Sequence, residues 1–168
     1  TTQQFSEHIQ WLKKNGYHFI NVDQLIKAHQ GKYRLPKKPV LLTVDDGYQS
    51  FYQNAYPIIR KNKIPVLLAV VGSWLEPSNL EKVDFGGEPI DRNKILSWSE
   101  LKEMQSSGLV EIASHSYHLH EGVNANPQGN LEPAAISRIY DPKNQSYESD
   151  SAYQQRIYQD LKKNNDLL

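Results

Sequence analysis

A chain of 168 residues can build one domain around a real core but not two comfortably. Hydrophobic residues make up 38% and charged residues 23%, which fits a folded soluble protein and excludes a disordered one. The 19 Lys and Arg balance 19 Asp and Glu, so no net field gathers nucleic acid or an anionic membrane, and the lack of cysteine removes thiol catalysis, disulfides and thiolate metal sites.

In chain order, Phe5, Ile9 and Leu12 recur at helical spacing, with Thr2 or Ser6 as cap and Gly16 as stop. "HFINVDQLIKAHQG" predicts a short strand and then a helix ended by Gly31, and "KYRLPKKP" is a basic, solvated connector. The β-branched run Val40 to Val44 predicts a strand buried on both faces. A helix from Tyr52 to Lys63 follows, which Pro57 kinks or restarts. "PVLLAVVGSW" predicts a second buried strand, and "EPSNLEKVDFGGEPIDRNK" a long polar loop. "SWSELKEMQSSG" is a helix capped by Ser97 or Ser99 and stopped by Gly108. "LVEIASHS" is a third strand, "HLHEGVNANPQGNLEPAA" a second long loop, and the remainder mixed loop and helix.

Apolar strands alternating with helices predict an α/β fold, with parallel strands and helices on the sheet faces. No stretch approaches the roughly 18 apolar residues that span a bilayer, and no signal peptide is visible. The chain opens without methionine, and both ends read as helix. The expectation is an internal piece of a longer polypeptide, a single partial domain over residues 1–168.

Ligand sites in α/β folds gather beyond the carboxyl ends of the strands. Two strands end in ionisable residues: "LLTVDDG" in Asp45 and Asp46, and "VEIASHSYHLH" in His115, His118 and His120. A carboxylate with two imidazoles, leaving positions open to water, suits a divalent metal in a hydrolase or a non-haem enzyme. Successive side chains on a strand point to opposite faces, so the two aspartates converge only where the strand has ended, and Gly47 permits that turn. One carboxylate would bind the cation, and the other, kept ionised, would take a proton from water. The plainer reading of "DDG" is a turn with Asp46 as a helix cap. His8, His18 and His29 have no companions and read as structural or solvated. Trp74 and Trp98 read as core or loop anchors before sugar platforms. A glycosidase is the weakest reading: adjacent side chains rarely flank a glycosidic bond at separations of about 5–9.5 Å, and the histidines would stay idle.

"LLTVDDGYQSFYQNAYPIIRKNKIPVLLAVVGSWL" resembles the first motif and following βα unit of the NodB-homology polysaccharide deacetylases, carbohydrate esterase family four. "EIASHSYHLH" resembles their histidine motif. "FGGEPIDR", "SW", "HSYHLHEGVNANPQGN" and the lead-in "FSEHIQWLKKNGYHFINVDQL" resemble the branch that N-deacetylates poly-β-1,6-N-acetyl-D-glucosamine, a biofilm exopolysaccharide. The likeness covers nearly the whole chain.

The resemblance implies a distorted (β/α) barrel, incomplete in this fragment, and metal-dependent hydrolysis of an acetamide to amine and acetate. It implies Asp45 as general base and Asp46, His115 and His120 as ligands of zinc, iron, cobalt or nickel. The common family spacing would place the second histidine at Leu119; one extra residue in this branch selects His120 and leaves His118 outside the ligand set. Tyr48, Trp74, Arg92 and Asn124 are candidate substrate contacts, Arg156 is a further groove candidate, and a backbone N–H near Tyr48 would face the oxyanion. The general acid, a histidine, would lie outside this chain. The implied partners are the poly-N-acetylglucosamine polymer and the exopolysaccharide export machinery, with no nucleic acid. The implied setting is the periplasm, the parent being lipid-anchored to the outer membrane. The alternatives are deacetylation of chitin oligomers or peptidoglycan, or a carbohydrate-binding module of this fold that lost catalysis.

Overall fold

A computed structural model describes residues 1–76, 81–85 and 87–168. Its first helix, α1 (Thr2–Lys14), is capped by Thr1 instead of Thr2 or Ser6: the Thr1 hydroxyl accepts from the Gln4 N–H at 3.2 Å, and the Gln4 side chain closes the capping box. β1 (His18–Phe19) and α2 (Val22–His29) follow as expected, with Asn21 and Gln24 forming a second capping box. The run Val40 to Val44 is not one strand. It divides into β2 (Pro39–Val40), parallel to β1, and β3 (Leu42–Val44). Nor is it buried on both faces: in β3, which stands at one end of its sheet's strand order, Thr43 is exposed while its neighbours Leu42 and Val44 are half-buried.

Pro57 restarts the next helix. Proline has no N–H for the carbonyl four residues back, and the chain widens into one π-helical turn over Phe51–Ala55 before α3 (Tyr56–Asn62). β4 (Val66–Val70) buries Val66, Leu68 and Val70 and half-buries Leu67 and Ala69. "GSW" is not its continuation but lies in a short helix, α4 (Gly72–Leu75).

The polar stretch beyond is not simply a loop. β5 (Lys82–Phe85) and β6 (Glu88–Asp91) pair antiparallel, while residues 77–80 and 86 of that stretch lie outside the described residues. α5 (Trp98–Ser106) is capped by Ser97 with Glu100 reaching back, and β7 (Val110–Ser114) is the third apolar strand. The second expected loop also holds a hairpin, β8 (Gly122–Asn124) with β9 (Leu131–Pro133). Another, β10 (Tyr140–Asp141) with β11 (Ser146–Tyr147), precedes α6 (Asp150–Leu167), capped by Ser149. Such short ribbons have too few positions for an apolar alternation to announce a strand.

These elements form two compact units, Thr1–Ala69 with Lys94–Ala113, and Val70–Asn93 with Ser114–Leu168. The first is built on the sheet β3-β4-β7. Leu42–Val44 lies parallel to Val66–Leu68. The Val66 N–H donates to the Leu109 carbonyl and the His115 N–H to the Val70 carbonyl, so β7 also runs parallel to β4. Ile59, Leu68 and Met104 are wholly buried there, each contributing about 1.5–3 kcal/mol of transfer free energy. In the second unit Val71 and Leu75 are wholly buried, and Trp74 is 2% exposed.

Candidate active site

In the first unit, β3 ends at Val44 and delivers the exposed Asp45 and the half-buried Asp46. Asp46 has φ 78° and Gly47 φ 94°, two successive left-handed residues that reverse the backbone. Glycine adopts this freely, and aspartate is among the few other residues that tolerate it. The turn is fastened by backbone alone: the Gly47 N–H donates to the Asp45 carbonyl at 3.0 Å, and the Leu96 N–H donates to the Gly47 carbonyl at 2.9 Å. The helical segment behind it starts at Gln49, so Asp46 is not its cap. Tyr48, half-buried, bridges to Ile95. Burial, and then the charge of Asp46, raise the pKa of its phenol, which keeps it a donor. Asp45 borders a cleft of about 480 Å³ with Phe5, Tyr48, Phe51 and Asn54.

In the second unit, β7 ends at Ser114 and His115 follows, half-buried, its N–H held by the Val70 carbonyl at 2.9 Å. Ser116, at φ 70°, turns the chain, and its hydroxyl accepts from the Leu119 N–H at 3.2 Å. Leu119, only 8% exposed, packs inward. The next residue, His120, returns to His115, with ring centroids 5.5 Å apart. Trp74 meets the His120 ring edge-on at 5.1 Å and stands 4.7 Å from Phe85, so the imidazole has an aromatic backing. That separation leaves room for one ion held by a nitrogen of each ring at about 2.0–2.1 Å.

His118 points elsewhere. Its Nε2 is 3.3 Å from Glu121 Oε2 and its Nδ1 3.4 Å from Ser73 Oγ. Asp84, His118 and Glu121 offer ligand atoms within 4.8 Å of one another, on largely exposed side chains. Beside His120 a cleft of about 520 Å³ is walled by Phe85, Leu119, Leu131 and Pro133, with Glu121 and Glu132 on it.

Trp74 is spent on packing and has little surface to offer a sugar. Arg92, half-buried, donates to the Leu75 carbonyl at 3.4 Å, and Asn124 to the Tyr140 carbonyl at 3.1 Å. Arg156 is no groove residue: it grips Glu148 through Nε at 3.0 Å and Nη2 at 2.8 Å, and donates to the carbonyls of Ala134 and Ser137. This structural use follows from a guanidinium fork meeting a carboxylate and two carbonyls left open by the β9 turn.

Two residues escape sequence reading altogether. Asp160 Oδ1 accepts from the Tyr117 N–H at 2.8 Å, and its Oδ2 from the His118 N–H at 2.7 Å. Asn164, wholly buried, donates to the Val70 carbonyl at 3.1 Å and to Ser114 Oγ at 2.7 Å. Their only signal is a spacing of four, which puts both on one face of α6.

The sequence profile described as polysaccharide deacetylase matches residues 32–168. The chain belongs to the polysaccharide deacetylase family. It is 39% identical over 167 residues to the poly-β-1,6-N-acetyl-D-glucosamine N-deacetylase of Escherichia coli K12, covering 99% of this chain and 25% of that protein. The BpsB deacetylase domain from Bordetella bronchiseptica superposes with a TM-score of 0.91 at 40% identity, covering 96% of this chain and 62% of that one. A de-N-acetylase from Aggregatibacter actinomycetemcomitans gives 0.93 at 39% identity, covering 99% and 63%. The chain thus spans a quarter of the E. coli protein and about three fifths of the two solved chains. Its α/β fold, with parallel strands and flanking helices, is that of these deacetylase domains.

Proposed function

We propose that the protein carrying this chain is a metal-dependent N-deacetylase of poly-β-1,6-N-acetyl-D-glucosamine. The observation that carries this reading is 39% identity, over 99% of the chain, to the E. coli enzyme of that name. The aspartate turn and the paired imidazoles support it. Asp46, His115 and His120 would hold a divalent cation, for which imidazole and carboxylate are suitable donors; zinc, iron, cobalt and nickel all accept such a set. When bound, the cation supplies Lewis-acid polarisation of the acetyl carbonyl and acidifies water.

Asp45, exposed at the strand end, takes the proton of the attacking water. The Tyr48 N–H is the proposed donor to the oxyanion. The amide C–N bond breaks to give acetate and a free amine on the sugar, and no residue of this chain is assigned as the acid that protonates that amine. A periplasmic location, an outer-membrane lipid anchor and contact with the export machinery complete the proposal, and cell fractionation tests the first two.

The deciding experiment measures acetate release from poly-N-acetylglucosamine oligomers by the full-length protein, with and without a chelator. We expect loss on chelation and recovery with added zinc or cobalt. Activity indifferent to chelation overturns the metal mechanism, and acetate released from chitin oligomers alone reassigns the substrate.

A further inference from the structure

The loop between His115 and His120 is clamped by both polarities of its backbone. The Gly72 N–H donates to the Ser116 carbonyl at 3.2 Å and the Ser73 N–H to the Tyr117 carbonyl at 2.9 Å, so α4 takes the acceptors. The donors point the other way. Both N–H groups, of Tyr117 and His118, end on the two oxygens of a single carboxylate, Asp160. One helical turn later Asn164 ties the carbonyl of Val70 and the hydroxyl of Ser114, immediately before His115. Lys163, on the same face, lies 3.5 Å from the Tyr117 ring centroid. One face of α6 therefore addresses the strand end at Ser114 and the loop at Tyr117 and His118.

We infer that Asp160 is a positioning residue that holds the loop so that His115 and His120 present their rings to one cation. This rests on the metal-centre reading above. The loop has only four residues between the two histidines and contains Ser116 at φ 70°. A backbone so turned keeps its shape only while its peptide groups stay bonded. Without a two-oxygen acceptor the Tyr117 and His118 N–H groups turn to water, and the His120 ring loses its fixed distance from His115. A carboxylate suits the task because each ionised oxygen accepts a strong bond, whereas an amide has one acceptor and one donor.

The test uses the full-length protein, with Asp160→Asn, Asp160→Ala and the control Asp166→Asn, whose exposed carboxylate pairs with Lys162 one helical turn back. Cobalt(II) affinity is measured by chelator competition, with the visible cobalt spectrum as reporter of ligand geometry. Amide hydrogen exchange is followed at Tyr117 and His118. We expect cobalt binding to weaken about tenfold in Asp160→Asn and towards about 100-fold in Asp160→Ala, the range for partners that orient metal-binding groups. The spectrum should shift and the two amides exchange faster, with Asp166→Asn unchanged. Should Asp160→Ala fail to fold, the isosteric Asp160→Asn, which still accepts one bond, decides the question. Wild-type cobalt affinity and spectrum in a folded Asp160→Asn overturn the positioning role. A wild-type protein that binds no cobalt overturns the metal centre itself, a different failure.

Discussion

The aspartate turn and the histidine loop both follow the carboxyl end of a parallel strand, yet they are built in opposite ways. The turn is closed by main chain: two residues at positive φ, a bond from Gly47 to Asp45, and one from Leu96 on the neighbouring segment. The loop leans on side chains that lie far along the chain, Asp160 and Asn164, and on a helix start that only glycine can supply at Gly72. A turn of the first kind should survive changes in its own side chains. A loop of the second kind should be undone from a distance.

The largest contrast comes from changing a side chain at each place. Asp45→Asn leaves the turn's backbone bonds intact, so we expect bound metal to be retained while acetate release falls by about 10²–10⁴-fold, the worth of a placed general base. His120→Ala should do the reverse, losing metal first, while His118→Ala should leave metal content at the wild-type level because that ring faces Glu121 and Ser73. Metal analysis alongside acetate assays separates the cases. Loss of metal in Asp45→Asn would break the division of labour between the two aspartates.

Backbone substitutions come next. A Cβ on Gly72 would meet Asn164 Oδ1 at 2.0 Å and both Leu167 Cδ2 and Tyr117 Cδ2 at 2.9 Å. Asn164 is buried and pinned through its other amide atom, so it cannot yield without breaking the bonds to Val70 and Ser114. Gly72→Ala should therefore cost about 3 kcal/mol, the upper end for overpacking. Gly47→Ala should cost about 1–2 kcal/mol, the penalty of a left-handed residue that bears a Cβ. Denaturant unfolding measures both. A Gly72→Ala change milder than Gly47→Ala would mean that α6 holds the loop less tightly than its bonds suggest.

The same contrast explains what could be read from the amino acids. The turn is a local object: an apolar run, two aspartates and a glycine within "LLTVDDG" announce the chemistry, the strand end and the reversal together. What stayed hidden there was Asp46's own positive φ, since the glycine alone accounts for a turn. In the loop the histidines were legible, and the inward packing of Leu119 gives His120, not its neighbour, the place beside His115. Its supports were not legible. Asp160 sits 43 residues from Tyr117 in a helix of mostly polar residues, where one more acid carries no signal. The three hairpins were missed for a related reason, since ribbons of two to four residues have too few positions to show a period. The run Val40 to Val44 misled by composition, because β-branched residues fit an edge strand as well as a central one.

The smallest effect tests whether α6 is held independently of the turn. Glu148 receives Arg156 at 2.8 Å, with side chains 12% and 23% exposed, and this hydrogen bond more than burial sets its pKa, holding it below the usual carboxylate value. The folded value lies below the unfolded one of about 4.3, so ionised Glu148 contributes stability at neutral pH. That contribution disappears as the pH falls through the depressed folded value, while Arg156, its own pKa raised by the same bond, stays charged throughout. Glu148→Gln keeps one neutral acceptor for the guanidinium and loses only the charge-assisted part, about 1 kcal/mol at pH 7. Wild type and variant should therefore differ by that amount at neutral pH and converge as the pH falls through the depressed folded value of Glu148. If α6 carries the loop, hydrogen exchange in the wild type should quicken at Tyr117 and His118 over that interval before it does at Gly47 and Leu96. Simultaneous quickening at all four amides would show that turn and loop unfold as one, and the contrast between them would then concern construction but not stability.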